Sequence, residues 1–175
     1  YGDPAAGYGS REWIIEQFDA AGNERVGAGF ITWSLARRPE LLDIVLERGA
    51  DPVFLSFGDP APFITKIRDA GRRVVLQVSS LTEARHARAL GADVIVAQGT
   101  EAGGHGTTGR ALFPLLPAVA DAVAPTPVLA AGGISDGRGL AAARLLGAEG
   151  VLLGTRLFAT AEALGSAAMK QRLSL

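Results

Sequence analysis

The sequence predicts an α/β protein built from parallel βα units, six of the eight that make up a (β/α)8 TIM barrel. Three observations carry that prediction. Short runs of aliphatic and β-branched residues recur along the 175 residues, stretches of helical period separate them, and the joints from helix back to strand repeat nearly word for word. The length suits a single domain over residues 1–175, with no second domain expected.

Taken in order, a helix is expected at 11–21, ahead of the first strand. Strand runs follow at 25–31, 51–57, 72–78, 92–98, 126–132 and 149–155. They read as continuous apolar runs rather than alternating ones, the pattern of parallel strands covered on both faces. Helical stretches at 39–48, 61–70, 81–90, 112–123 and 137–146 alternate with them, which is the rhythm of βα units. The joints ERGADPVFL, ALGADVIVA and LLGAEGVLL place Gly49, Gly91 and Gly147 where a helix ends in the left-handed conformation that glycine adopts without a Cβ penalty.

A whole barrel takes about 250 residues, so these units would be its third to eighth, with two strands expected upstream. The chain opens without Met on YGDPAAGYGSREW, as if inside a longer one. An open doubly wound sheet accounts for six strands with none missing, but no strand is followed at once by a dinucleotide fingerprint.

A formal net charge of −1 and the absence of any basic run lead us to expect no nucleic-acid or anionic-membrane partner. With no cysteine, thiolate nucleophiles, iron–sulfur clusters and Cys-based zinc sites are excluded, and a reducing, cytoplasmic location is expected. The most apolar stretch, 111–131, is interrupted by Pro114, Pro117, Asp121, Pro125 and Pro127 and cannot span a membrane. The amino terminus does not read as a signal peptide.

Chemistry is expected in the loops that follow strands. The first is AQGTEAGGHGTTG at 97–109, which holds one of the two histidines, His105, among glycines with little bulk to hold it. Bare backbone lets a flat or phosphorylated ligand approach closely, with N–H groups free to donate. The plainer reading is a flexible turn with an exposed histidine. Two motif matches here fail: GTEAGGHG has His105 where a phosphate loop needs Lys, and GHGTTG begins well beyond the strand end. Glu101 and His105, four apart, would ligate a metal only on a helix, which Gly103, Gly104 and Gly106 do not sustain, so no metal is expected. His86, between Arg85 and Arg88 on a helical stretch, reads as a solvated surface residue.

The next loop, AAGGISDGRG at 130–139, offers Gly132, Gly133 and the amides of a helix starting near Asp136. The one after it, LLGTR at 152–156, offers open backbone at Gly154 and two donors at Thr155. If the strands are the third to eighth of a barrel, these two loops are its usual phosphate site.

At these residues the chain closely resembles the nitronate monooxygenases, formerly called 2-nitropropane dioxygenases. AQGTEAGGHG is followed, in order and spacing, by VLAAGGISDGRGLAAARLLGAEGVLLGTRLF, and the resemblance covers essentially the whole chain. It implies an FMN-binding (β/α)8 barrel. It also implies flavin contacts from Gln77, Gln98, Gly103 and Gly104, and a phosphate cradle from Gly132, Gly133 and Leu152, Leu153, Gly154 and Thr155. His105 resembles the active-site histidine of that family, held in place by the ligand rather than by its own loop. The implied reaction is oxidation of nitronates or nitroalkanes by O2 to carbonyl compounds and nitrite. Its partners are then a small-molecule substrate and O2, with a homodimer among the assemblies allowed. One departure is Gly29 in GAGFITW, where many relatives place Asn near the flavin. FMN-dependent enoyl-acyl-carrier-protein reductases, which use NAD(P)H, have a very similar glycine–histidine loop, and a flavin-free phosphosugar enzyme on the same barrel would also use the paired phosphate loops. Both stay open.

Overall fold

Helix and strand alternate as expected, with strands shorter than the apolar runs that announce them. The structure is a computed structural model and describes residues 9–105, 109–163 and 165–173. The chain divides into two units, one up to Leu76 and the other from Gln77.

The first unit contains α1 (Arg11–Ala21), β1 (Ala28–Ile31), α2 (Thr32–Leu35), α3 (Glu40–Glu47), β2 (Val53–Ser56), α4 (Ala61–Asp69) and the start of β3 (Val74–Val78). Ser10 starts α1 by accepting from the Trp13 amide at 3.1 Å. β1, β2 and β3 run parallel, with Gly29 opposite Phe54 and Phe54 opposite Val75. Val53, Leu55, Val74 and Leu76, on one face of these strands, are fully buried, as are Leu42 and Val45 of α3 and Ile67 of α4. The other face departs from the expectation that both would be covered: Gly29 is exposed and Phe54 only half-buried. Each crossover helix covers one face of the strands it joins, so the apolar content of a run does not say that both faces are closed.

The second unit continues through α5 (Leu81–Ala89), β4 (Val94–Gln98), α6 (Leu112–Val123), β5 (Val128–Ala131), α7 (Gly137–Leu145), β6 (Gly150–Leu152), α8 (Thr155–Phe158) and α9 (Ala167–Leu173). β4, β5 and β6 are parallel. Ser80 caps α5 through the Glu83 amide, and Glu83 returns its carboxylate to the Ser79 amide. α6 packs on α5, β4 and β5 and buries Leu112, Leu115, Leu116, Val119 and Val123. Pro117 inside it removes the N–H that would reach the Phe113 carbonyl, at a residue 70% exposed where water can take that bond.

Two expectations about the strands need correcting. The run at 149–155 is not all strand: β6 stops at Leu152 and Thr155 opens α8. The other runs lose one to three residues at their ends to joints and turns, because apolar character extends past the extended segment. The four-residue helices α2 and α8 are too short to leave a periodic signal.

The glycine joints form as expected. Gly49, Gly91 and Gly147 have φ of 82°, 79° and 98°. In each, the glycine amide and the next one bond back into the helix: Gly49 to Leu46 and Ala50 to Val45, Gly91 to Arg88 and Ala92 to Ala87, Gly147 to Arg144 and Ala148 to Ala143. This is the Schellman closure, and the following alanine is buried each time. Among the described residues no helix is long and apolar enough to cross a membrane.

Asp51, at one of these joints, takes the Arg73 guanidinium on both carboxylate oxygens (2.9–3.2 Å) and the Arg73 amide at 3.0 Å. The side-chain bonds from Arg73, then the backbone bond, hold its carboxyl below the ordinary 3.8. A carboxyl depressed by folding stabilises above its unfolded pKa, and that contribution is lost as pH falls through the folded value. Asp51→Asn should therefore lower stability at neutral pH by about 1 kcal/mol or less, since Arg73 lies largely in solvent. In urea titrations the gap between variant and parent should close on acidification below pH 3.8.

Candidate active site in the second unit

Parallel register brings three loops of the second unit side by side. Gln98 at the end of β4 pairs with Ala131 at the end of β5, and Ala131 with Leu152 at the end of β6, so the segments that leave these strands start from one row. Gly99 continues the ladder, its amide donating to the Ala131 carbonyl at 2.9 Å.

The glycine-rich segment is held more firmly than its composition suggests. Gln98, only 6% exposed, donates from Nε2 to the His105 carbonyl at 2.9 Å. Thr100 donates to the Arg110 carbonyl at 3.2 Å, and the Ala102 amide to Gly99 at 3.1 Å. Both Glu101 oxygens accept from the Leu112 amide, at 3.0 and 2.9 Å. The expectation that only a ligand holds His105 is thus corrected: its backbone is pinned by a buried amide on the neighbouring strand. Residues 106–108, inside GHGTTG, lie outside the described residues.

Close backbone approach joins this segment to the other two loops. A Cβ on Gly103 would overlap Thr155 Oγ1 at the start of α8. On Gly133, where φ is +67°, it would stand 3.2 Å from Glu101 Cβ; on Gly132, where φ is +109°, it would stand 3.0 Å from the Ala102 amide nitrogen. By contrast, no atom of the described residues lies within 4 Å of such an atom at Gly104 or Gly154. The structure therefore brings together Gln98, Gly103, His105, Gly132, Gly133 and Thr155. Leu152 ends β6, Leu153 follows it half-buried, and Gly154 leads into α8. Gln77 is half-buried on β3, and its side chain makes no hydrogen bond to this cluster. His86 is exposed on α5.

The two expected phosphate turns prove unlike. At α7, Asp136 Oδ1 accepts from the amides of Arg138 and Gly139 at 2.9 and 3.3 Å, and its Oδ2 takes the Arg138 guanidinium. The Arg138 side-chain bond, then the two backbone bonds, keep this carboxyl below its ordinary pKa. The amides expected to face a ligand at α7 are consequently spent on their own cap, since a carboxylate at that position outcompetes anything less well placed. At α8 the cap residue is Gly154 and no side chain closes the turn. The residue that sequence reasoning missed is Glu101, whose partner is eleven residues away.

The sequence profile described as Nitronate monooxygenase matches residues 27–175. The chain belongs to that family. A nitronate monooxygenase of Neurospora crassa is 38% identical over 163 residues, 79% of this chain and 43% of the relative. A (3aS,4S,5R,7aS)-5-hydroxy-7a-methyl-1-oxo-octahydro-1H-indene-4-carboxyl-CoA dehydrogenase of Mycobacterium tuberculosis is 40% identical over 133 residues, 75% of this chain and 37% of the relative. Among solved structures, FabK from Thermotoga maritima matches with a TM-score of 0.82 at 34% identity, over 93% of this chain and 51% of that one. The chain thus spans less than half the length of these two curated relatives and about half of FabK. The likeness places the family member in the α/β barrel-like class expected from its parallel βα units.

The Gly103–Thr155 approach can be tested without any ligand. Gly103→Ala should destabilise by roughly 1–3 kcal/mol through overpacking. Adding Thr155→Ala, which removes the hydroxyl that the new methyl meets, should recover part of that loss, with a coupling above about 0.5 kcal/mol in urea denaturation.

Proposed function

We propose that this chain carries the FMN site of an enzyme that oxidises nitronates or nitroalkanes with O2 to carbonyl compounds and nitrite, with His105 acting on the substrate. The observation that carries the reading is the pinning of the His105 carbonyl by Gln98, on a segment packed against Thr155 and Gly133. Membership of the nitronate monooxygenase family and the name of the Neurospora relative support the substrate class.

The residues present fit FMN. Gly154 and Thr155, at an α8 turn without a side-chain cap, together with Gly133, suit a phosphate. The bare backbone of Gly103 and Gly104 suits a flat ring pressed on the chain, and Gln77 suits its polar edge. Leu152 and Leu153, half-buried, lead from β6 into that turn, while Gly132 lets the β5 turn approach Ala102. Gln98, expected as a flavin contact, also supports His105 through its Nε2 donor. Bound FMN would supply the electron transfer that no side chain of the chain can supply.

The chain's own part is placement and the proton. The His105 imidazole offers a ring nitrogen that can act as a base, taking a proton from the carbon beside the nitro group of a neutral nitroalkane. A nitronate arrives already deprotonated and needs His105 only to position its charge. A second reading is an FMN-dependent enoyl-acyl-carrier-protein reductase using NAD(P)H on the same site; the relative named as a carboxyl-CoA dehydrogenase shows that similar chains carry redox names other than nitronate oxidation. Nitronate-dependent O2 uptake with nitrite release supports the first reading; rapid anaerobic bleaching of the flavin by NADPH, without that activity, supports the second.

His105→Asn should keep FMN and lower turnover by roughly 10²–10⁴-fold on neutral nitroalkane, and by less on preformed nitronate. Equal activity on both would remove His105 from the mechanism. Gly154→Val should lower the flavin content of the purified protein while its circular dichroism matches the parent, because φ there is −116° and a Cβ at this position meets no atom of the described residues within 4 Å. Gly133→Val is the poorer test: at φ +67° it strains the fold as well.

A further inference from the structure

We propose that Glu101 is the positioning residue of this site: its carboxylate, held on the Leu112 amide, fixes the segment 99–105 against the β5 and β6 turns and so sets where His105 stands. The kinetic part of this role rests on the reaction proposed above; the structural part does not.

Both carboxylate oxygens converge on one backbone N–H, the first of α6, at 3.0 and 2.9 Å. The residue that precedes α6, Ala111, has no side chain with which to cap it. Glu101 therefore supplies from a distance what a local Asp or Ser supplies elsewhere, and a carboxylate at a helix N-terminus is favoured by the helix dipole as well as by the hydrogen bond. The surroundings are shaped to it. A Cβ on Gly99 would overlap Glu101 Oε2, and one on Gly133 would crowd Glu101 Cβ. Two glycines, one before it in the same segment and one from the β5 turn, leave the room that this side chain fills.

The consequence for His105 is geometric. Gln98 fixes the far end of the segment through the His105 carbonyl. Glu101 fixes its middle to α6, and Gly103 then meets Thr155. With the carboxylate removed, the backbone bonds near it among the described residues, Thr100 to Arg110 and Ala102 to Gly99, do not reach α6. Both carboxylate oxygens are already directed at a backbone N–H, an arrangement that suits an anchor.

The test compares Glu101→Gln and Glu101→Ala in the full protein. Gln keeps a carbonyl oxygen for the Leu112 amide; Ala does not. Hydrogen exchange at the Leu112 amide should accelerate in Glu101→Ala and stay slow in Glu101→Gln. The His105 imidazole NMR signal, assigned with His105→Asn, should move only in Glu101→Ala. Turnover of nitronate should fall by up to about 10²-fold in Glu101→Ala, the scale of a misplaced catalytic group. Glu101→Gln should stay within a few-fold of the parent and keep its pH profile. A Gln variant as impaired as the Ala variant, with Leu112 still protected, would overturn the proposal in favour of a carboxylate that acts in the chemistry. An Ala variant with parental exchange and a parental His105 signal would overturn it outright. If the parent oxidises no nitronate, the proposed reaction fails, and the exchange and imidazole measurements still decide the role of Glu101.

Discussion

Backbones in the second unit approach one another more closely than a β-carbon permits, and the arrangement of the candidate site follows from that. Gly99, Gly103 and Gly133 each stand where an added methyl would meet Glu101 or Thr155. Glycine carries a conformational cost on folding, because it has the most freedom to lose. Here that cost is offset by bonds that need the close approach: Gln98 to the His105 carbonyl, Glu101 to the Leu112 amide, and Gly99 to the Ala131 carbonyl. The loop is rich in glycine because its backbone is crowded at those points, while Gly104 meets no atom of the described residues within 4 Å.

What was legible in the sequence is what local chemistry decides. The ends of α3, α5 and α7 could be read because a glycine at C′ acts within its own turn, and each one closes with the bonds that this position demands. α6 spans Leu112–Val123 as expected, because its apolar period outweighs one interior proline whose lost bond falls at exposed Phe113. Strand ends were over-read, since apolar character does not mark where the backbone stops being extended. The roles of Gln98 and Glu101 were not legible. Residue type and spacing show a buried amide and a carboxylate near a histidine, but their partners lie seven and eleven residues away and are chosen by how the loop folds back. The stretch from Glu101 to His105 forms no helix, and the Glu101 carboxylate folds onto a backbone N–H instead.

The two glycine turns after β5 and β6 looked equivalent in sequence, and one feature of SDGRG already distinguished them. Asp just before a helix is a preferred N-cap, so its carboxylate competes for the amides that an anion would use. In the structure it takes two of them. The turn at Gly154 has no such residue and keeps no side-chain cap. Under the proposed reading, the phosphate then belongs at the α8 turn, with Gly133 approaching from the side, and the start of α7 acts as a rigid edge.

That asymmetry links the ligand to the histidine. Thr155 is the residue that an anion at the α8 turn would engage, and it is also the one against which Gly103 is pressed. Gly103 lies two residues from His105, on a segment whose other fixed points are the Glu101 and Gln98 bonds. A displacement of Thr155 therefore has little slack to be absorbed before it reaches the imidazole, because the backbone between two anchors and a close contact is over-determined. On this geometry, the turn proposed to hold the cofactor and the residue proposed to act on the substrate are a single mechanical unit, and packing at Gly103 matters to both.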